Sequence, residues 1–203
     1  MKIRLRTDSV EIEGYVNAVG RDSRKLVDDE GFSYREQIQP GVFAKALKAK
    51  EDAKIEIPLY LDHDHSRQIG GTDTNLELEE DSIGLHAVAT ITDMDVVEKA
   101  RAGKLCGWSF GFVTLDYDSE YTEKGHRVII TDMDLREITL VDDQATPAYA
   151  GTSVHTRTDG KEEKINTRTV GDAIYVEREE PEKHPDPDLN HKYYELIEKL
   201  RTQ

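Results

Sequence analysis

Leu105-Cys106-Gly107-Trp108-Ser109-Phe110-Gly111-Phe112 alternates aromatic residues with glycine and serine. On a β-strand, successive side chains point to opposite faces. Trp108, Phe110 and Phe112 then share one apolar face, and a face of that size belongs in a core. Ser109 falls on the other face, between Gly107 and Gly111. Glycine inside a strand costs stability, and a close approach by another backbone is a common reason for it. A hydroxyl between two such residues sits in a notch that a substrate backbone could enter. The plainer reading is a bulge or sheet crossing whose glycines relieve packing. Under the same alternation Cys106 lies with Trp108 and Phe110, as a small buried hydrophobe and not a nucleophile.

Other short stretches rich in β-branched and aromatic residues are bounded by Gly, Asp or Asn, as strands are. They are Val10–Gly14, Tyr15–Val19, Ile55–Leu61, Leu76–Leu78, Leu85–Ile91, Arg127–Asp132 and Leu135–Val141. Two helices interrupt them. One opens at Pro40-Gly41 and covers Val42–Lys50, with Phe43, Ala46 and Leu47 on one stripe. The other covers Asp93–Ala102, with Thr92 as its cap, Asp95 in its first turn and Gly103 at its end. Many short strands with few helices predict a mainly β domain with peripheral helices.

Two strand candidates carry chemistry. Along Leu59-Tyr60-Leu61-Asp62-His63-Asp64-His65, alternation puts Leu59, Leu61, His63 and His65 on one face. The strand thus leads from a buried leucine face into two histidines, and a histidine at the edge of a dry region suits general-base work. Both could equally be surface residues near a turn. Along Leu135–Val141, Glu137 shares a face with Leu135, Thr139 and Val141, where a carboxylate needs a partner. His63 could be that partner, and so could Arg136 or a lysine. A metal site on His63 and His65, completed by His86, Asp62 or Glu137, is a weaker alternative because no second spaced ligand pair accompanies it.

Composition narrows the classes. The chain has 203 residues, with 27 Lys and Arg against 42 Asp and Glu, a formal net charge of -15. That surface repels phosphate backbones, so no nucleic-acid partner is expected. No apolar run has the length of a membrane span or a signal-peptide core, so no membrane partner is expected either. The single cysteine precludes an intrachain disulfide and fits a reducing compartment. From Thr156 the chain becomes charged and carries Pro181, Pro185 and Pro187, with Ala173–Val176 its one plausible strand. The expected organisation is a domain over 1–155 and an acidic, largely disordered tail over 156–203. The tail ends in Leu189, Tyr193, Leu196, Ile197 and Leu200 at amphipathic helical spacing.

Taken in order, these pieces resemble the tailed-phage prohead (capsid-maturation) serine proteases over roughly Glu11–His155. The resemblance runs from Gly14-Tyr15-Val16 through Pro40-Gly41-Val42-Phe43 with Ala46-Leu47, and Pro58-Leu59-Tyr60 leading to His63-Asp64. It continues through Gln68-Ile69-Gly70, Gly84-Leu85-His86-Ala87 and Gly107–Phe112 to Glu137–Val141 and Ala145-Thr146-Pro147-Ala148. It implies an antiparallel β-barrel of the herpesvirus-assemblin type, with no cofactor. The histidine motif falls on His63, the serine motif on Ser109 and the acidic strand position on Glu137. Assemblins use a second histidine at the third position, and His65 stands where proline is common in the phage family, so it competes for that role, although a neighbour two residues away on the same strand is poorly placed to orient His63. The implied partners are phage scaffold, major capsid protein and the chain itself, through self-cleavage and a possible homo-oligomer. The implied location is the host cytoplasm, inside the assembling prohead.

Overall fold

A computed structural model describes residues 1–28, 30–143, 152–158, 161–171 and 175–178. In chain order the elements are β1 (Lys2–Leu5), β2 (Val10–Ala18), β3 (Leu26–Val27), β4 (Ser33–Ile38), α1 (Val42–Ala53), β5 (Pro58–Leu61), β6 (Gln68–Gly71), β7 (Leu76–Glu80) and β8 (Gly84–Ile91). Then come α2 (Met94–Arg101), β9 (Leu105–Thr122), β10 (Gly125–Asp142), β11 (Thr152–Thr158), β12 (Lys161–Gly171) and β13 (Tyr175–Arg178). The described chain is mainly β with two helices, as the sequence predicts.

Hydrogen bonding orders the strands into two sheets. One runs β13-β1-β2-β8-β7. The other runs β11-β12-β9-β10-β4-β3, with β5 on β10 and β6 on β5. The long β9–β10 hairpin is the spine of the second sheet. The far edge of β10 is shared: its first half pairs with β4, at Arg127–Ile130, and its second half with β5, at Ile138–Leu140. Both of those pairings are parallel, as is β1 with β13. The expectation of a wholly antiparallel arrangement is therefore corrected to a mixed one. The reason is that β4 and β5 reach β10 after crossovers, and a crossover, unlike a hairpin, can deliver a strand in parallel.

One core lies between the sheets and under both helices. Trp108, Phe110 and Phe112 are fully buried in it, on the face that alternation assigned. Phe110 meets Phe43 of α1 edge-on, with ring centroids 5.4 Å apart, and stacks on Phe112 at 5.3 Å. Such pairs add about 0.5–1.5 kcal/mol each to the burial of the rings. At α2 the cap is Asp93, not Thr92. Its carboxylate accepts from the Asp95 and Val96 N–H groups, and Gly103 closes the other end at φ 69°. Asp93 and Asp95 also hold Arg67, at 3.0 and 2.9 Å.

Strands continue past residue 155. The expected boundary between 155 and 156 falls inside β11. The segment beyond it supplies β12, antiparallel to β9, and β13, beside β1. The helical spacing at Leu189–Leu200 lies outside the described residues.

Candidate active site

Three local devices bring distant residues to the polar face of β9. The first is the register of the hairpin. Ser109 pairs with Thr139 and Gly111 with Glu137, while Phe110 pairs with Ile138 and Trp108 with Leu140. Ser109, Gly111, Glu137 and Thr139 thus share one face, and the aromatic core takes the other.

The second device is a bulge. Leu135 pairs with Phe112 but Glu137 with Gly111, so Arg136 is an extra residue in β10. A single inserted residue reverses the facing of everything beyond it. Leu135 therefore points to the core and Glu137 to the site. The expected shared face for these two residues is corrected on that ground. A second bulge explains Cys106. Leu105 pairs with Asp142 and Gly107 with Val141, which leaves Cys106 outside the ladder. It is exposed, contrary to the buried position expected. Desolvation, then the charges of Asp143, Asp142 and Asp62, push its thiol up, so it is a poor nucleophile.

The third device is a turn. β5 ends at Leu61, and Asp62 and His63 follow at φ 54° and 58°. The Asp64 N–H donates to the Leu61 carbonyl, so both central residues of this tight turn are left-handed, as in type I′ turns. Asp and His are among the residues that tolerate that region best. The turn is pinned to β10: Asp62 N–H donates to the Leu140 carbonyl and Asp62 Oδ1 accepts from Asp142 N–H, each at 2.8 Å. His63 and His65 reach the site from this turn, not by strand alternation as expected.

The resulting contacts are short. His63 Nε2 lies 2.8 Å from Ser109 Oγ, and His63 Nδ1 lies 2.5 Å from Glu137 Oε1. Thr139 Oγ1 is 3.4 Å from the same Nδ1. His65 Nε2 lies 2.6 Å from Glu137 Oε2. Ser109 and Thr139 are fully buried and Glu137 is 3% exposed. A buried carboxylate is tolerable only when paired, and here each oxygen faces an imidazole nitrogen.

Gly111 makes the room. A Cβ built there would lie 2.8 Å from Glu137 Cγ and 3.0 Å from Oε1. The space over Gly111, expected to admit substrate, is filled by the Glu137 side chain. Sequence reasoning missed this role and that of Thr139. The only available signal was Gly111 two residues from Ser109 on one face.

Other candidates do not join the cluster. His86 pairs with Glu13 at 3.6 Å and packs against Tyr15, and Asp62 faces Asp142. Among the described residues no three His, Cys, Asp or Glu side chains are grouped so as to hold a metal ion. No described helix is long and apolar enough to cross a membrane.

A serine hydroxyl, an imidazole and a buried carboxylate in one hydrogen-bonded line form the arrangement that activates a serine for acyl transfer. Comparison with curated proteins and with solved structures gave no match. The sequence profile of the caudovirus prohead serine proteases does match, over residues 1–166. The chain belongs to the caudovirus prohead serine protease family.

Proposed function

We propose that this chain is a serine endopeptidase that cleaves scaffold and major-capsid-protein segments, and itself, during prohead maturation. It acts inside the assembling prohead in the host cytoplasm. Ser109 is the nucleophile, His63 its general base and Glu137 the group that orients His63. The observation that carries this reading is the continuous line from Ser109 Oγ through the two nitrogens of His63 to Glu137 Oε1.

The chemistry follows from that line. His63 Nδ1–H donates to Glu137, which leaves Nε2 with a lone pair facing the serine hydroxyl. As Oγ attacks the peptide carbonyl, its proton passes to Nε2. The imidazolium formed is stabilised by the buried carboxylate beside it. His63 then returns the proton to the leaving amine, and a water repeats the sequence on the acyl-enzyme. No cofactor takes part.

Self-cleavage draws support from β12. Its residues Asn166–Gly171 run antiparallel along Phe112–Gly107, with Thr169 opposite Ser109. A segment of the chain itself therefore lies one strand spacing from the nucleophile. The same reading includes closure of the two sheets into a barrel of the assemblin type, with the mixed pairing described above. Its support is the core the sheets share, where a Cβ on Gly14 of β2 would come within 3.2 Å of Trp108 Nε1 of β9.

The test is intact-mass measurement of the pure chain during incubation, alongside Ser109→Ala. The parent should fragment and the variant stay whole. Equal fragmentation of both would rule out the serine mechanism. No fragmentation, with no labelling of Ser109 by a fluorophosphonate, would favour a non-catalytic head-assembly role.

A further inference from the structure

Glu137 is gripped at both oxygens, and the second grip has no part in the proton transfer above. Oε1 takes His63 and Oε2 takes His65, at 2.5 and 2.6 Å. His65 takes the Glu137 oxygen that His63 does not. It is in turn held by the ring of Tyr60 on β5, with centroids 4.9 Å apart and planes tilted by 30°. Burial pushes the Tyr60 hydroxyl up, and the Glu137 charge pushes it the same way.

The terminal torsion of a glutamate is broad and roughly two-fold, so a carboxylate held by one oxygen swings easily. His63 needs Oε1 in the plane of its Nδ1–H. A donor on Oε2 fixes that plane, and the contact resembles the outer hydrogen bonds that orient ligands in other sites. Gly111 gives Glu137 its space but no direction, because glycine offers no side chain to pack against. Direction comes from the two histidines.

Resting on the serine-protease reading above, we propose that His65 is a positioning residue. It donates from Nε2–H to Glu137 Oε2 and so holds Glu137 in the orientation that keeps His63 aimed at Ser109. The arrangement is thus a four-membered line, Ser109–His63–Glu137–His65, with Tyr60 as the backing of its outer end.

A fluorophosphonate probe reads this without a known cleavage sequence. The Ser109 Oγ–P bond forms as the P–F bond breaks, fluoride leaves, and the serine proton passes to His63. The dependence of the labelling rate on probe concentration separates the maximal rate from the half-saturating concentration. In the full chain, His65→Ala should lower the maximal rate about tenfold to a hundredfold, the span expected for losing a hydrogen bond to a charged group. The half-saturating concentration should stay unchanged. His65→Gln, whose amide N–H₂ can take the place of Nε2–H, should recover most of the loss. In a Glu137→Gln background, His65→Ala should cost little more, because its effect passes through the carboxylate.

Equal losses from His65→Ala in both backgrounds, a change in half-saturation alone, or no loss at all would overturn the proposal. If His65→Ala fails to fold, a His65→Gln chain that folds but labels no faster than Glu137→Gln would overturn it too. Ser109→Ala is the control. Labelling that survives it shows the serine reading itself to be wrong, whereas labelling that it abolishes leaves any His65 failure specific to His65.

Discussion

The two halves of the β9–β10 hairpin share a ladder and little else. In the half nearest the site, Trp108, Phe110 and Phe112 are buried on one face, and Ser109, Glu137 and Thr139 are buried on the other. In the distal half Leu115, Tyr117 and Tyr121 are exposed, Tyr121 at 87%. Polar groups there pair at the surface, as Arg127 does with Glu120 at 2.7 Å. Backbone pairing is common to both halves, so it does not make the site. Burial on both faces does: a polar group without water must find a protein partner, and few geometries satisfy several such groups together. The distal half has water as an alternative partner and needs no such geometry.

The largest effect that could break this contrast is catalytic. His63→Ala or Ser109→Ala should each lower fluorophosphonate labelling or self-cleavage by on the order of 10⁴–10⁶-fold, with the double variant little worse. Additive losses would mean that the two residues do not act as one unit.

Next comes the core face. Phe110→Ala should destabilise by about 3–5 kcal/mol, while Tyr121→Ser on the same strand should stay within about 0.5 kcal/mol. Denaturant unfolding of both variants measures this, and similar midpoints would erase the distinction between the halves.

Gly111→Ala sharpens it within the site. The added methyl group meets Glu137 Cγ, so the cost should be about 1–3 kcal/mol of overpacking. Labelling of Ser109 should fall further than stability does, since the displaced carboxylate no longer faces His63. A variant that labels at the parental rate would show that Glu137 moves freely.

The smallest effect belongs to the distal half. The Arg127 guanidinium, by hydrogen bonding to Asp22, holds that carboxyl below its ordinary 3.8. A depressed carboxyl stabilises the folded chain above its unfolded value, and that contribution is lost as pH falls through the folded one. Asp22→Asn should therefore lower the thermal midpoint slightly at neutral pH, less at high salt, and not at all once the pH is below the folded value. An equal deficit at every pH would assign the effect to packing instead of charge.

How much of this the sequence carried depends on single residues. The aromatic face of β9 was legible because no bulge interrupts Trp108–Phe112, and alternation holds there. It failed at Cys106 and at Glu137 because one extra residue in each pairing reverses the facing, and nothing local in the sequence marks such an insertion. Both histidines of the site were legible by type. Their route was not, since Asp62 and His63 turn left-handed where a continued strand was expected. The parallel partners of β10 and the pairing of β12 with β9 are contacts between distant segments. Charge and proline content in the tail say nothing of them.

The tight fit of Glu137 over Gly111 also constrains how this chain can change. Neither position is free to vary first. Any side chain at 111 displaces the carboxylate before a replacement for it exists. A shorter acid at 137 would clear the methyl group but lose its reach to His63 and His65. Two residues 26 positions apart in sequence, and opposite each other in the ladder, are thus coupled as one inherited unit. A library varying both together should return active clones almost solely with the pair intact, even where each of the strands tolerates change elsewhere.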